Sequence, residues 1–80
     1  MYYIATFYSH FGAIRFKREC RQEGLEAQLM PVPRTLSSSC GTCVRFEASE
    51  DFTPKKDIHG EMEKIVRQTE SGYEVIYDGE

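Results

Sequence analysis

The alternation of apolar and polar positions changes period several times along the chain, and each change marks an element. Tyr2 to Phe7 is aromatic and β-compatible and predicts a strand. Ser9 offers an N-cap side chain for a helix over residues 11–23. In that helix Ala13, Phe16 and Cys20 fall on one face with Ile14 beside them, while Arg15, Arg18 and Gln22 point away. Gly24 supplies a left-handed stop. Leu25, Ala27 and Leu29 then alternate with Glu26 and Gln28, the period of a half-buried strand, which Pro31 and Pro33 end.

A polar loop of about a dozen residues follows, through Arg34, Ser37, Ser38 and Ser39 to Cys40 and Gly41, long for so small a domain. Val44 and Phe46 alternate with Arg45 and Glu47 in a short strand, and Pro54 sits in a turn region over 51–56. Asp57 can cap a second helix, in which Ile58, Met62, Ile65 and Val66 form one apolar stripe. After the turn at Ser71 and Gly72, Tyr73, Val75 and Tyr77 alternate through a last strand.

The order strand, helix, strand, strand, helix, strand predicts an α+β domain of the ferredoxin-like split βαββαβ kind. It would be a four-stranded antiparallel sheet covered on one face by two helices. A right-handed crossover makes the first and second strands parallel, with the third antiparallel between them. The loops after the first and second strands then emerge at one end, so the start of the first helix lies beside the cysteine loop. The second helix, with His59 near its start, is expected at the opposite end.

The chain has 80 residues, which fits a single domain spanning 1–80. Its core must be thin, because a chain of this size buries only about 60–65% of its unfolded surface. No apolar run approaches the ~18 residues of a membrane span, and the amino terminus lacks a basic, cleavable leader pattern, so a cytoplasmic location without membrane association is expected. Charge is uneven: residues 1–45 carry six basic and three acidic side chains, and residues 46–80 carry four basic and ten acidic. The net charge of −3 argues against nucleic acid as a partner. The local strip of Arg15, Lys17, Arg18 and Arg21 reads as the solvated face of the first helix.

Three cysteines in such a chain do not make a disulfide framework, because the number is odd and the expected compartment is reducing. Cys40-Gly41-Thr42-Cys43 carries the sharpest chemical signal. Two thiols three residues apart can share a metal or close a redox ring, and Gly41 lets the backbone turn tightly around the sulfur. Zinc needs four ligands, and only Cys20, His10 and His59 remain, with Cys20 on the buried helix stripe and His59 at the far end; no metal or other cofactor is expected. A thioredoxin-like arrangement is disfavoured because a strand-like segment, not a helix, follows the motif. A reactive Cys40 thiolate needs solvent access and positive potential. Turn amides, the first helix's N-terminus, and Arg34 or Arg45 are the candidate sources. His10 follows the first strand at the same end and is a candidate thiolate partner. A buried, incidental pair of thiols is the plainer alternative.

The segment Leu29-Met30-Pro31-Val32-Pro33-Arg34-Thr35-Leu36-Ser37-Ser38-Ser39-Cys40-Gly41 resembles the DUF3343 family, described as selenium/sulfur carrier-like. The likeness covers roughly residues 3–70 and rests on the Pro-x-Pro-Arg to Ser-Cys-Gly block. It implies a sulfur- or selenium-bearing Cys40, with Pro33, Arg34, Ser39 and Gly41 shaping its loop. It also implies a place in sulfur relay, since such domains occur fused to TusA-type sulfurtransferases. Cys43 departs from the family pattern, so a resolving role for it must come from chemistry: a second thiol can expel a bound sulfur as sulfide. Three functions follow. The first is a carrier loaded at Cys40 by a donor such as a cysteine desulfurase and emptied by an acceptor protein. The second is a dithiol redox protein cycling Cys40 and Cys43. The third is an interaction or regulatory module, such as a homodimer through sheet edges, in which the thiols are incidental.

Overall fold

A computed structural model describes residues 1–79. Six elements follow one another: β1 (Tyr2–Phe7), α1 (His10–Gln22), β2 (Ala27–Pro31), β3 (Thr42–Glu47), β4 (Met62–Thr69) and β5 (Gly72–Asp78). The strands form one sheet in the order β2-β3-β1-β4-β5, and every neighbouring pair is antiparallel. β1 and β2 are therefore parallel with β3 between them, as the crossover rule requires.

The expected four strands and two helices are corrected to five strands and one helix. The stripe that predicted a second helix is β4 instead. Two features disguise it. A register shift between Thr6 and Phe7 places Phe7 opposite Met62 and Thr6 opposite Lys64, so Glu63 is an extra residue in the ladder. Met62 and Ile65 thus share the helix-side core although they are three apart. Ile65 and Val66 are both buried, on opposite faces, because both sides of the sheet are covered at this point. Ile58 lies outside the strand and is 76% exposed. Asp57 caps a turn rather than a helix: its Oδ2 accepts from the Met62 N–H at 2.9 Å.

α1 forms where its signals place it, within one residue. Ser9 is the N-cap, extended at φ −146° and ψ 161°, and its side chain accepts from the Gly12 N–H. At the other end Gly24 adopts φ +81°, while Gly24 N–H donates to Arg21 O and Leu25 N–H to Cys20 O. This pair of bonds satisfies two of the free carbonyls at the end of the helix.

The helix-side core gathers Tyr3, Phe7, Ala13, Cys20, Phe46 and Ile65 among others. Its centre is aromatic. Tyr3 stacks on Phe46 with ring centroids 5.3 Å apart, and Phe16 meets the edge of Phe46 at the same separation. Cys20 is 3% exposed, and its thiol is pushed up to about 12, first by burial and then by Glu23 and Glu19. It is a core residue, as its helical spacing predicts. The opposite face is smaller: Ile4, Cys43 and Val66 lie beneath Met30, Val32, Leu36 and Tyr73. Val32 and Leu36 come from the loop between β2 and β3, so that loop is also the lid of the second core.

Candidate functional site

The loop over residues 32–41 is tied down at its base and along its length. Val32 N–H donates to Gly41 O at 3.1 Å, just beyond the Pro31–Thr42 pair that ends the β2–β3 ladder. Pro33 begins a tight turn in which its carbonyl accepts from Leu36 N–H at 3.0 Å. Ser38 Oγ donates to the carbonyl of Phe7, the last residue of β1, at 3.1 Å. Ser39 donates twice to Glu63, from its N–H to Oε1 at 3.1 Å and from its Oγ to Oε2 at 2.7 Å. The cysteine loop and the approach to α1 therefore meet at one end of the sheet, as expected from the topology.

Cys40 follows these anchors. Its side chain is half-buried and packs against the helix-side core. Sγ donates to Thr42 O at 3.4 Å and lies 3.9 Å from Ser38 Oγ. Gly41 has φ +74°, a conformation that side chains disfavour, and nothing stands within 4 Å of where its Cβ would be. The turn next to the sulfur is thus open to solvent, while the sulfur itself is held in place.

Cys43 is placed differently. It is fully buried in the second core, on the other face of the sheet, with Sγ donating to Pro31 O at 3.7 Å. Its thiol is pushed up to about 11, chiefly by burial and then by the neighbouring Cys40. All three cysteines are free thiols. The two sulfurs of the motif are close in sequence but belong to separate environments, one half-buried beside an open turn and one sealed.

The other candidates divide. Pro33, Ser39 and Gly41 shape the loop as described. Arg34 is exposed in the Pro33 turn. Arg45 is directed elsewhere, with its guanidinium 3.9 Å over the Tyr2 ring. His10 is the exposed first residue of α1, and among the described residues its side chain has no hydrogen bond or ion pair. His59 is not at the far end: Arg15 Nη1 lies 3.1 Å from its Nε2, beside the first turns of α1. Among the described residues no three His, Cys, Asp or Glu side chains converge as metal ligands.

Glu63 is the residue of the candidate site that sequence reasoning missed. The expected second helix gives it no place at the loop; as the extra residue of β4 it reaches the cysteine loop. The charge beside Ser39 is consequently negative, where cationic or amide company was expected for Cys40. No periodicity in the sequence marks it.

Against this geometry stands one comparison. The family model described as "Putative Se/S carrier protein-like" matches residues 2–77, and the chain belongs to that family. No curated protein and no solved structure matches the chain.

Proposed function

We propose that the protein carries sulfur, or selenium in the same oxidation state, as an adduct on Cys40. The observation that carries this reading is the contrast within one motif: Cys40 is half-buried beside an open turn, whereas Cys43 is enclosed and held as a neutral thiol. Loading is thiol exchange at a sulfane sulfur. The Cys40 thiolate attacks the terminal sulfur of a donor persulfide. A new S–S bond forms to Cys40, the donor's S–S bond breaks, and its electron pair leaves with the donor's sulfur as a thiolate. Delivery is the same step with an acceptor thiolate as the attacking group. No external oxidant or reductant is consumed in either direction.

Storage requires that the adduct survive. A free thiolate beside a persulfide attacks the inner sulfur, expels sulfide and leaves a disulfide. Burial of Cys43 suppresses that reaction, because the thiolate is the nucleophile and a thiol with a pKa of about 11 is almost wholly protonated near pH 7. A donor such as a cysteine desulfurase and a thiol-bearing acceptor protein complete the relay.

Treatment of the reduced protein with inorganic polysulfide, followed by intact mass and peptide mapping, tests the reading. One added sulfur on Cys40, removed by a reductant and absent from Cys40→Ser, is the expected result. An immediate Cys40–Cys43 disulfide in place of the adduct supports the dithiol redox function instead.

A further inference from the structure

The face of α1 turned away from the sheet carries a second ordered set of side chains. Gly12, Ala13 and Cys20 are buried against the sheet. With 3.6 residues per turn, Phe11, Ile14, Arg18 and Arg21 therefore align on the opposite face, at i, i+3, i+7 and i+10. Phe11 is 78% exposed and Ile14 45%, and both arginines are exposed. Among the described residues neither of these guanidinium groups has an ion-pair partner. Arg15, one residue off the stripe, is by contrast held by Glu61 at 3.2 Å.

The stripe thus has an apolar half and a cationic half, and their order matters. The apolar half starts at Phe11, four residues after the Phe7 carbonyl that anchors Ser38, so it lies at the end of the molecule where Cys40 opens to solvent. Two free arginines on a chain of net charge −3 are a local reversal of sign, which selects an acidic counterpart.

We propose that this stripe is a docking surface that lies in an apolar groove bordered by carboxylates on a partner protein, and that the partner is the one exchanging sulfur or selenium with Cys40. The second clause rests on the carrier function proposed above; the first does not. A helix laid in a groove is read through anchors at this spacing. A lipid surface is the less fitting occupant. Only two apolar side chains lie on the stripe, too small an apolar face to anchor in the headgroup–acyl boundary.

The test places a photoreactive phenylalanine analogue at Phe11, and in a control chain at the exposed Val75, in cells that make the protein. A protein cross-linked from Phe11 alone is purified, and its affinity is measured for the unmodified chain, for Phe11→Ser and for the Arg18→Glu/Arg21→Glu pair. Support requires that both variants weaken binding on the order of tenfold, that added salt weakens it, and that sulfur passes between Cys40 and the bound partner. Thermal melting confirms the fold of each variant, and should Phe11→Ser fail to fold, the arginine pair carries the test. The proposal is overturned by a cross-link only to a second copy of the chain, by no Phe11-specific cross-link, or by a partner whose affinity ignores both variants. Binding to phosphatidylglycerol/phosphatidylethanolamine vesicles in place of a protein also overturns it. If the partner binds through the stripe but polysulfide never loads Cys40, the docking surface stands and the carrier function falls.

Discussion

Glu63 holds Ser39 with both carboxylate oxygens, at 3.1 Å from its backbone nitrogen and 2.7 Å from its hydroxyl. Ser39 immediately precedes Cys40, so this clamp sets the loop conformation that presents the sulfur. It also occupies a backbone N–H that would otherwise be free to stabilise an anion at Cys40. Two consequences of removing it are predicted. Glu63→Ala lowers stability by about 1 kcal/mol, the usual net value of a partly exposed hydrogen-bonding interaction. It also speeds alkylation of Cys40 severalfold, because the loop preceding the sulfur loses its clamp and the Ser39 amide is released. Stopped-flow iodoacetamide kinetics check the second effect; an unchanged or slower rate contradicts it.

Cys43 is predicted to be inert in the native state. With the thiol pushed up to about 11, thiolate is scarce at neutral pH and the sulfur has no solvent exposure. Alkylation at pH 7.5 should modify Cys40 first, with Cys43 and Cys20 following only at the rate of unfolding. Cys43→Ser should still accept sulfur at Cys40. Loss of loading in that variant would favour the dithiol cycle.

Alkaline pH should weaken the fold. Cys20 and Cys43 both have folded pKa values above the ordinary 9.0, at about 12 and about 11. Below pH 9 both thiols are protonated whether the chain is folded or not, and their contribution to stability is constant. Above pH 9 the unfolded chain loses these protons while the folded chain retains them, so stability falls with rising pH. The fall amounts to at most about 1.4 kcal/mol per pH unit for each thiol until its folded value is reached. Urea midpoints at pH 7.5, 9 and 10 measure this, and a Cys43→Ala variant should show a shallower decline.

Gly12 marks a close approach of α1 to the segment before β4. A Cβ placed there would stand 2.9 Å from Glu61 Cβ and 3.3 Å from Phe7 Cδ2. Gly12→Ala is therefore predicted to destabilise by about 1–2 kcal/mol, despite alanine's higher helix propensity, because the contact forces the helix away from the sheet. A thermal melt distinguishes this from the stabilisation expected of an unobstructed helical glycine.

Most of the fold is legible in the sequence because most elements keep one period throughout. α1 announces itself by Ser9, the Ala13–Phe16–Cys20 spacing and Gly24, and β1, β2, β3 and β5 by alternation or aromatic content. β4 is illegible for a physical reason. One extra residue at Glu63 breaks the period of two, and cover on both faces makes Ile65 and Val66 apolar in succession, which together imitate a helical stripe. The error propagates to the site. Cys40 and its loop can be read from the Ser-Cys-Gly block, but the partner of Ser39 depends on where β4 starts. Likewise Cys43 reads as a partner of Cys40 from spacing alone. Its sealing follows from strand alternation in β3, whose Thr42 start sends Cys43 to the face that the loop itself covers.

The most direct test of the central claim supplies heavy-sulfur L-cysteine and a cysteine desulfurase to the reduced protein and follows the label by peptide mass. The account predicts one labelled sulfur on the Cys40 peptide in both the native chain and Cys43→Ser, none in Cys40→Ser, and its passage to an added thiol acceptor. A chain that leaves Cys40 unlabelled while Cys40 remains free to alkylation would contradict it.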